Sequence, residues 1–369
     1  MAGTAKEATL APGLTTDKNG SVRLHAESSI RKSLPGFLAD FVELTISLFV
    51  IHYFWWFWGV CCILYYVHWC GYTVVSVGLI VAYLPVYMNG AHKKVTVAEG
   101  NQKWDWLRTH PIWTCMCEYM KLDIVREAEL DPKKQYVFGF HPHGILILSR
   151  LTAYAGNFEK LFPGIEVRAL GATPMFYVPL ARELCLWLTV VDASSKTAAR
   201  VLDNDMSIIV YPGGSKEIFL TDPKSKDTQL VLSDRMGFVK LAIKYGAELV
   251  PVFVFGEKWM YNIWNPPASV RKFFYKTLKV PFLAFWGRFG TWLPVQLTGK
   301  RRFGVVYGKP IPVTKNENPT DEEIAALHAI YVERVKEIFA KYKTEFGYDD
   351  DETLTIIASK TPRAAKKDD

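Results

Sequence analysis

Two histidines at the end of one apolar segment are the residues of this chain best suited to acid–base chemistry. His141 and His143 follow a β-prone run, Tyr136 to Phe140, and precede a second apolar run with helical character. This order predicts two imidazoles at the carboxyl end of a strand and just ahead of a helix N-terminus, which favours developing negative charge. An imidazole, with an ordinary pKa of about 6.5, accepts and returns protons near neutral pH. The alternative is a pair of purely structural histidines.

A glycine-rich turn after another strand-like run is the second candidate element. Gly213 and Gly214 can bring backbone N–H groups close to a phosphate or an oxyanion. Ser215 stands where a serine hydrolase carries its nucleophile, but the G-x-S-x-G pattern needs Gly at the position of Glu217. A lipid hydrolase using Ser215 is therefore the weaker chemical alternative. An ordinary glycine-rich turn is the structural one.

The charge pattern favours a phosphate-bearing small molecule or an anionic membrane face as partner. The formal net charge is +7, the basic residues are interspersed with acids, and no nucleic-acid-binding motif occurs. Lys216, Arg235 and Lys240 are the candidate cations, with the triplet Lys300 to Arg302 in reserve. The two histidines lack a third ligand at a recognisable spacing, so no metal is predicted. Six cysteines without paired spacings indicate a reducing compartment.

The chain divides into four predicted regions. Residues 1–36 have the composition of a disordered tail, and residues 37–90 contain 45 consecutive positions, Leu44 to Met88, without Asp, Glu, Lys or Arg. One membrane-spanning helix needs about 20 residues, so this run predicts a two-helix transmembrane hairpin that turns near Gly71. Basic residues flank only its outer ends, which places both termini in the cytosol. Residues 91–355 form the globular domain, and residues 356–369 form a C-terminal tail.

The globular region has the alternation typical of an α/β fold. Strands are predicted at Tyr136 to Phe140, Val167 to Leu170, Ser207 to Tyr211 and Leu249 to Phe255. Gly237 to Tyr245 predicts a helix. A last helix begins with a capping box at Thr320 and Glu323 and stops before Gly347, with an apolar stripe formed by Ile324, Leu327, Tyr331, Val335, Ile338 and Tyr342.

Several ordered motifs resemble the diacylglycerol acyltransferase type 2 family, over roughly Leu44 to Gly347. They are the runs Phe138 to Gly144, Gly213 to Glu217, Arg235 to Ala242, Gly246 to Glu257, Gly308 to Val313 and Lys343 to Gly347. The resemblance implies a membrane-anchored, glycerolipid-acyltransferase-like α/β domain.

The resemblance implies an acyltransferase activity, in which a fatty acyl group moves from the co-substrate acyl-CoA to diacylglycerol and gives triacylglycerol. Relatives acylate monoacylglycerol or long-chain alcohols (waxes), which remain alternatives. The resemblance also implies an enzyme of the endoplasmic-reticulum membrane, with lipid droplets as a second location, and without a metal or redox cofactor. A homo-oligomer stays open, and so does a non-catalytic membrane scaffold.

The resemblance carries the catalytic role onto His141 and His143. The wider glycerolipid acyltransferases, which also look related, place an Asp five positions after the catalytic His, where this chain has Leu146. Glu217 is the nearest replacement carboxylate that could orient an imidazole.

We expect His141 to be the preferred base for the acceptor hydroxyl. Backbone N–H groups after Gly144, or at Gly213 and Gly214, are expected to hold the oxyanion. The C-terminal Lys366 and Lys367 resemble a dilysine retrieval signal, which agrees with a cytosolic C-terminus. Asn19 lies in the one glycosylation-type triplet and is expected to stay unmodified in the cytosol.

Overall fold

The computed structural model describes residues 13–17, 20–264, 266–278 and 283–359. In chain order its strands are β1 Leu14–Thr16, β2 Val22–His25, β3 Asp123–Arg126, β4 Tyr136–His141, β5 Val167–Gly171, β6 Val190–Asp192, β7 Ser207–Val210, β8 Asp227–Val231, β9 Glu248–Phe255, β10 Asn262–Trp264, β11 Ala284–Trp286, β12 Gly304–Tyr307 and β13 Thr353–Ile357. Its α-helices are α1 Gly36–Ile51, α2 Tyr53–Trp69, α3 Thr73–Met88, α4 Asp105–Thr109, α5 Ile112–Met120, α6 Asn157–Leu161, α7 Ala181–Trp187, α8 Ser195–Asp203, α9 Ser215–Ile218, α10 Gly237–Tyr245, α11 Ala268–Leu278 and α12 Asp321–Tyr342.

A nine-stranded mixed sheet in the order β1-β2-β3-β12-β9-β4-β7-β5-β6 organises the domain. The five strands from β9 to β6 are parallel, and β12 runs antiparallel to β9. Apolar clusters cover both faces, which explains why the central strands read as continuous apolar runs. The α/β class and the four predicted strands are confirmed, with ends that shift by one residue.

The predicted helices α10 and α12 are also confirmed. The Thr320 hydroxyl accepts the Glu323 N–H, and the Glu323 carboxylate accepts the Thr320 N–H, which is the predicted capping box. Tyr331, Val335 and Ile338 of the apolar stripe are buried against the sheet. The stripe of α12 is therefore part of the domain core.

Both predicted tails extend less far than expected. Strand β2, inside the predicted disordered tail, pairs antiparallel with β3, and its Leu24 is buried. Strand β13 pairs in parallel with β8 and reaches Ile357, past the predicted domain end at residue 355. Short alternating strands such as β2 lack a strong sequence signal, because pairing with a distant strand stabilises them. The Asn19 and dilysine interpretations lie outside the described residues.

The apolar region forms three helices instead of a simple two-helix hairpin. The predicted turn at Gly71 is present between α2 and α3, where the Ser76 hydroxyl donates to the Leu64 carbonyl at 2.8 Å. The first arm is broken at His52, and α1 meets α2 at 75°. His52 accepts the Trp292 N–H at 3.2 Å and donates to the Leu48 carbonyl at 2.7 Å. The break thus docks on the domain.

In the described part of the chain, the segment Thr73–Lys93 is long and apolar enough to cross a membrane. Helices α1 and α2 would supply a second span only if this bent pair crosses the membrane as a single segment. Most of the exposed large apolar side chains belong to these three helices.

Candidate active site

A cavity of about 1040 Å³ opens beside the His-Pro-His-Gly turn. Its wall comes from the carboxyl ends of β5 and β7, from α8 and α10, and from the start of α2. The lining is mostly apolar, and the volume lies at the upper end of the roughly 300–1,000 Å³ typical of ligand pockets. Ligands commonly bind at this edge of parallel sheets, so the cavity is the candidate substrate site.

His143 is the histidine of the motif that lines this cavity. Its Nδ1 lies 2.8 Å from the Gly144 carbonyl oxygen, which can only accept, so Nδ1 carries the proton and Nε2 keeps its lone pair. Burial lowers the pKa of His143 to about 4, against the raising effect of the Gly144 hydrogen bond. The ring is therefore neutral at pH 7, as a general base must be.

His141 does not line the cavity and is fully buried. Its Nε2 lies 3.0 Å from the Tyr331 hydroxyl, which itself donates to the Gly139 carbonyl at 3.1 Å, so His141 donates to Tyr331. Burial lowers the pKa of His141 to about 3. The expectation that His141 is the preferred base does not fit this geometry.

The apolar run after Gly144 does not form the expected helix. Ile147 has a left-handed backbone with φ 54°, and a short 3-10 helix follows at Leu148–Ala153. The Leu148 N–H donates to the buried Glu257 carboxylate at 3.4 Å, so a side chain satisfies it instead of a helical turn. The turn therefore does not have a helix dipole behind it.

Glu217 contacts the turn, but not through an imidazole as predicted. One carboxylate oxygen accepts the His143 backbone N–H at 2.7 Å, and the other accepts the Val231 N–H at 2.8 Å. Burial raises the pKa of Glu217 to about 7, although both hydrogen bonds lower it. Glu217 thus fixes the backbone that carries His143, and the ring is oriented by the Gly144 carbonyl.

Two glycines are required by the two buried carboxyl groups. A Cβ on Gly213 would lie 1.9 Å from the Glu217 carboxyl carbon, and a Cβ on Gly144 would lie 2.1 Å from a Glu257 oxygen. Together, Glu217 and Glu257 hold the His-Pro-His-Gly turn from two sides.

We expect Glu257→Gln to gain stability relative to wild type as the pH rises. Burial raises the pKa of Glu257 from 4.5 to about 8, so the folded protein holds a proton that the unfolded chain loses. This stabilising effect is complete below about pH 4.5 and is lost as the pH rises through about 8. Because glutamine does not titrate, the free energy of unfolding of the variant does not fall in this way. In wild type the fall is about 1.4 kcal/mol for each unit by which the pKa is raised. Thermal unfolding of wild type and Glu257→Gln at pH 6 and pH 9 measures this change. If the stability difference between the two proteins were the same at both pH values, the raised pKa of Glu257 would be contradicted.

The glycine-rich turn presents Gly214 and Ser215 to the cavity, whereas Gly213 lies against Glu217. The Gly214 N–H already donates to the Tyr211 carbonyl at 3.1 Å. The backbone after Gly144 is also engaged in part, because the Leu148 N–H donates to Glu257, and neither expected oxyanion site is favoured over the other.

Ser215→Ala is expected to keep acyl transfer within a few-fold of wild type. In the described residues, no hydrogen bond joins the Ser215 hydroxyl to either imidazole of the motif, and a serine nucleophile needs such a base. Initial rates with labelled acyl-CoA measure this. A fall to background with intact protein would restore the covalent-serine mechanism.

Of the three cations predicted to bind phosphate, only Lys240 lines the cavity. The Lys216 ammonium donates to the Ser359 carbonyl, and Arg235 lies outside the lining. Lys196 on α8 and Lys244 on α10 line the cavity beside Lys240 and are exposed. Lys240 and Lys244 share one face of α10, since they are four residues apart.

Sequence reasoning assigned no role to three residues of the site. Glu257 could have been found from the sequence, because it is an acid that directly follows an apolar strand and a glycine. In the structure that glycine, Gly256, has φ +84°. Arg150 is a single cation in an apolar run, and it lines the cavity. Tyr331 lay hidden in the apolar stripe of α12, where a tyrosine is ordinary core material.

A sequence profile described as diacylglycerol acyltransferase matches residues 70–357 of this chain. Curated relatives include 2-acylglycerol O-acyltransferase 1 of Mus musculus, 36% identical over 71% of this chain and 81% of the relative. Diacylglycerol O-acyltransferase 1 of Schizosaccharomyces pombe is 36% identical over 65% of this chain and 72% of the relative.

Diacylglycerol O-acyltransferase 2 of Danio rerio is 30% identical over 81% of this chain and 84% of the relative. The match of the family profile spans more than half of the chain, and three of the six motif runs given above contribute residues to the cavity lining. The chain therefore belongs to the diacylglycerol acyltransferase family and is an acyltransferase.

Proposed function

We propose that this acyltransferase esterifies diacylglycerol with the acyl group of acyl-CoA, with His143 as the general base. The observation that carries the proposal is the neutral His143 ring, which lines the apolar cavity with its Nδ1–H held by the Gly144 carbonyl. A fixed tautomer leaves Nε2 as the basic nitrogen. Monoacylglycerol is the second acceptor, because relatives of similar identity are named 2-acylglycerol O-acyltransferases.

The reaction needs one base and one oxyanion site. His143 Nε2 takes the proton of the acceptor hydroxyl while that oxygen attacks the thioester carbonyl. The tetrahedral intermediate collapses to the ester, and the leaving CoA thiolate takes the proton back from the imidazolium. An alcohol of high pKa is a poor nucleophile without such a base. Glu217 and Glu257 act as positioning residues, since they touch the backbone of the turn and not its reacting nitrogen.

The lysines at the cavity wall support a site for the CoA phosphates. Lys196, Lys240 and Lys244 are exposed around an otherwise apolar lining, which suits a ligand with a charged head and a long apolar chain.

Replacing these three lysines by alanine is expected to raise the KM for acyl-CoA about tenfold or more, with a smaller effect on kcat. Exposed charges are screened by salt, so wild type should lose affinity with rising ionic strength more steeply than the variant. Steady-state rates at several salt concentrations measure both. The double change Lys133→Ala and Lys224→Ala, which lies outside the cavity lining, is the control. Equal KM values in the two variants would contradict the phosphate site.

Membrane attachment through α1 to α3 is part of the proposal, with the endoplasmic reticulum or lipid droplets as its place. The exposed apolar side chains of these helices support it, and so does an acceptor that is itself a membrane lipid. One span, or two, remains compatible with the helices described above, and the cytosolic position of both termini stays a prediction.

Purified protein given labelled acyl-CoA and a panel of acceptors tests the proposed function. Triacylglycerol formed from diacylglycerol supports it, whereas esters formed only from monoacylglycerol or a long-chain alcohol redirect it to those acceptors. Release of fatty acid without ester formation would favour the hydrolase alternative.

A further inference from the structure

Arg150 is a fourth cation in the wall of the large, mostly apolar cavity, in addition to the exposed Lys196, Lys240 and Lys244. It belongs to the 3-10 helix Leu148–Ala153 and lines the large cavity together with His143. It also lines a smaller cavity of about 70 Å³, which is bounded by Val50 and Tyr53 at the break between α1 and α2. Arg150 therefore borders both cavities.

The groups around Arg150 are neutral. The Tyr53 hydroxyl and the Cys185 thiol are its neighbours, and among the described residues no carboxylate forms an ion pair with its guanidinium. Glu257 feels its charge, but that carboxyl packs under Gly144 and accepts the Leu148 N–H. Arg150 is half-buried, and a cation taken partly out of water without a counter-ion loses solvation that a bound anion would offset.

We propose that Arg150 binds the carboxylate of a free long-chain fatty acid, whose tail lies in the large cavity. A guanidinium offers a planar pair of donors that matches a carboxylate, and its one positive charge balances one negative charge. A phosphate monoester carries about −1.5 to −2 charges and would need a second cation beside Arg150. The other cations of the described lining are Lys196, Lys240 and Lys244, which are exposed.

Fatty acid bound in this way competes with acyl-CoA for the same cavity. This consequence rests on the proposed function, because it requires that the large cavity holds the acyl chain of acyl-CoA. The binding site itself does not depend on catalysis.

Direct binding of oleate and oleyl alcohol to the purified full-length protein tests the site. The two ligands share a chain and differ in head-group charge. We expect wild type to prefer oleate about tenfold or more, since a charge-assisted bidentate pair is lost with the alcohol. Arg150→Met should bring the ratio close to one by weakening oleate alone. Arg150→Lys, which keeps the charge without the planar fork, should lie between them.

Binding of the alcohol by each variant shows that the cavity is intact. Lys240→Met removes one charge from the same cavity and should leave the oleate preference unchanged. Three outcomes would overturn the proposal. Wild type could bind oleate and oleyl alcohol with equal affinity, Arg150→Met could keep the preference for oleate, or Lys240→Met could lose that preference as fully as Arg150→Met. Tighter binding of lysophosphatidate, lost in Arg150→Met, would overturn the carboxylate assignment in favour of a phosphate. Transfer activity is measured separately, so failure of the proposed function would not be confused with failure of this site.

Discussion

His143→Gln is expected to lower kcat for acyl transfer by about 10²- to 10⁴-fold, with little change in the KM for acyl-CoA. Glutamine keeps a polar side chain at the cavity wall but cannot take a proton, so the substrates still bind and the hydroxyl stays a poor nucleophile. The measurement is steady-state transfer at saturating acceptor, with thermal unfolding to show that the variant is folded.

His141→Gln is the matched control for this prediction. Its amide N–H can still donate to the Tyr331 hydroxyl, the partner of His141 Nε2. We expect kcat within about tenfold of wild type and a loss of stability of about 1–3 kcal/mol, typical of a perturbed buried hydrogen bond. If folded His141→Gln lost as much kcat as His143→Gln, the role of base would return to His141.

The pH dependence of activity distinguishes the buried His143 from a solvated imidazole as the base. Burial holds the pKa of His143 at about 4, so its ring stays neutral and basic well below the usual pKa of 6.5. Activity that depends on the neutral ring should therefore show no acid limb near pH 6.5 and fall only near pH 4, whereas changes between about pH 7 and pH 8 report on Glu217 and Glu257. An acid limb centred at about 6.5 would mean that the base is a more solvated group.

The end of strand β4, and not strand alternation, separates the two histidines, because residues two apart would lie on the same face of one strand. In β4, Tyr136, Phe138 and Phe140 point to one face of the sheet, and His141 points to the other with Val137. Because His141 is the last strand residue, it inherits a buried face, whereas His143 lies in the turn beyond it. The predicted strand ends at Phe140, before both histidines, so the prediction cannot tell the buried one from the accessible one.

The positions of the carboxylates could not be predicted in the same way. Glu217 and Glu257 follow different strands, and each reaches the turn after β4 only because β7 and β9 flank β4 in the sheet. Strand order is a long-range property, and no local pattern in one sequence encodes it. The missing helix after Gly144 has the same origin, since a distant carboxylate takes the Leu148 N–H.

Gly144→Ala is expected to lower kcat by about 100-fold, because misplacing a catalytic group by about 1 Å costs that much. Gly144 has φ +67°, which costs an L-residue roughly 1–2 kcal/mol. In addition, the new Cβ would lie 2.1 Å and 2.4 Å from the two Glu257 oxygens, so the turn or the buried carboxyl must move. The Gly144 carbonyl holds the His143 ring, and any shift of this residue tilts the base.

Gly156→Ala separates the contact from the backbone strain. Gly156 has φ +72°, close to that of Gly144, but a Cβ there meets nothing within 4 Å. The control should lose about 1–2 kcal/mol of stability and keep its kcat. Adding Glu257→Ala to Gly144→Ala removes the obstacle and should restore part of the lost kcat, with a coupling energy of about 0.5–3 kcal/mol in a double-mutant cycle. Similar kcat values for Gly144→Ala and Gly156→Ala would show that the contact with Glu257 does not position His143.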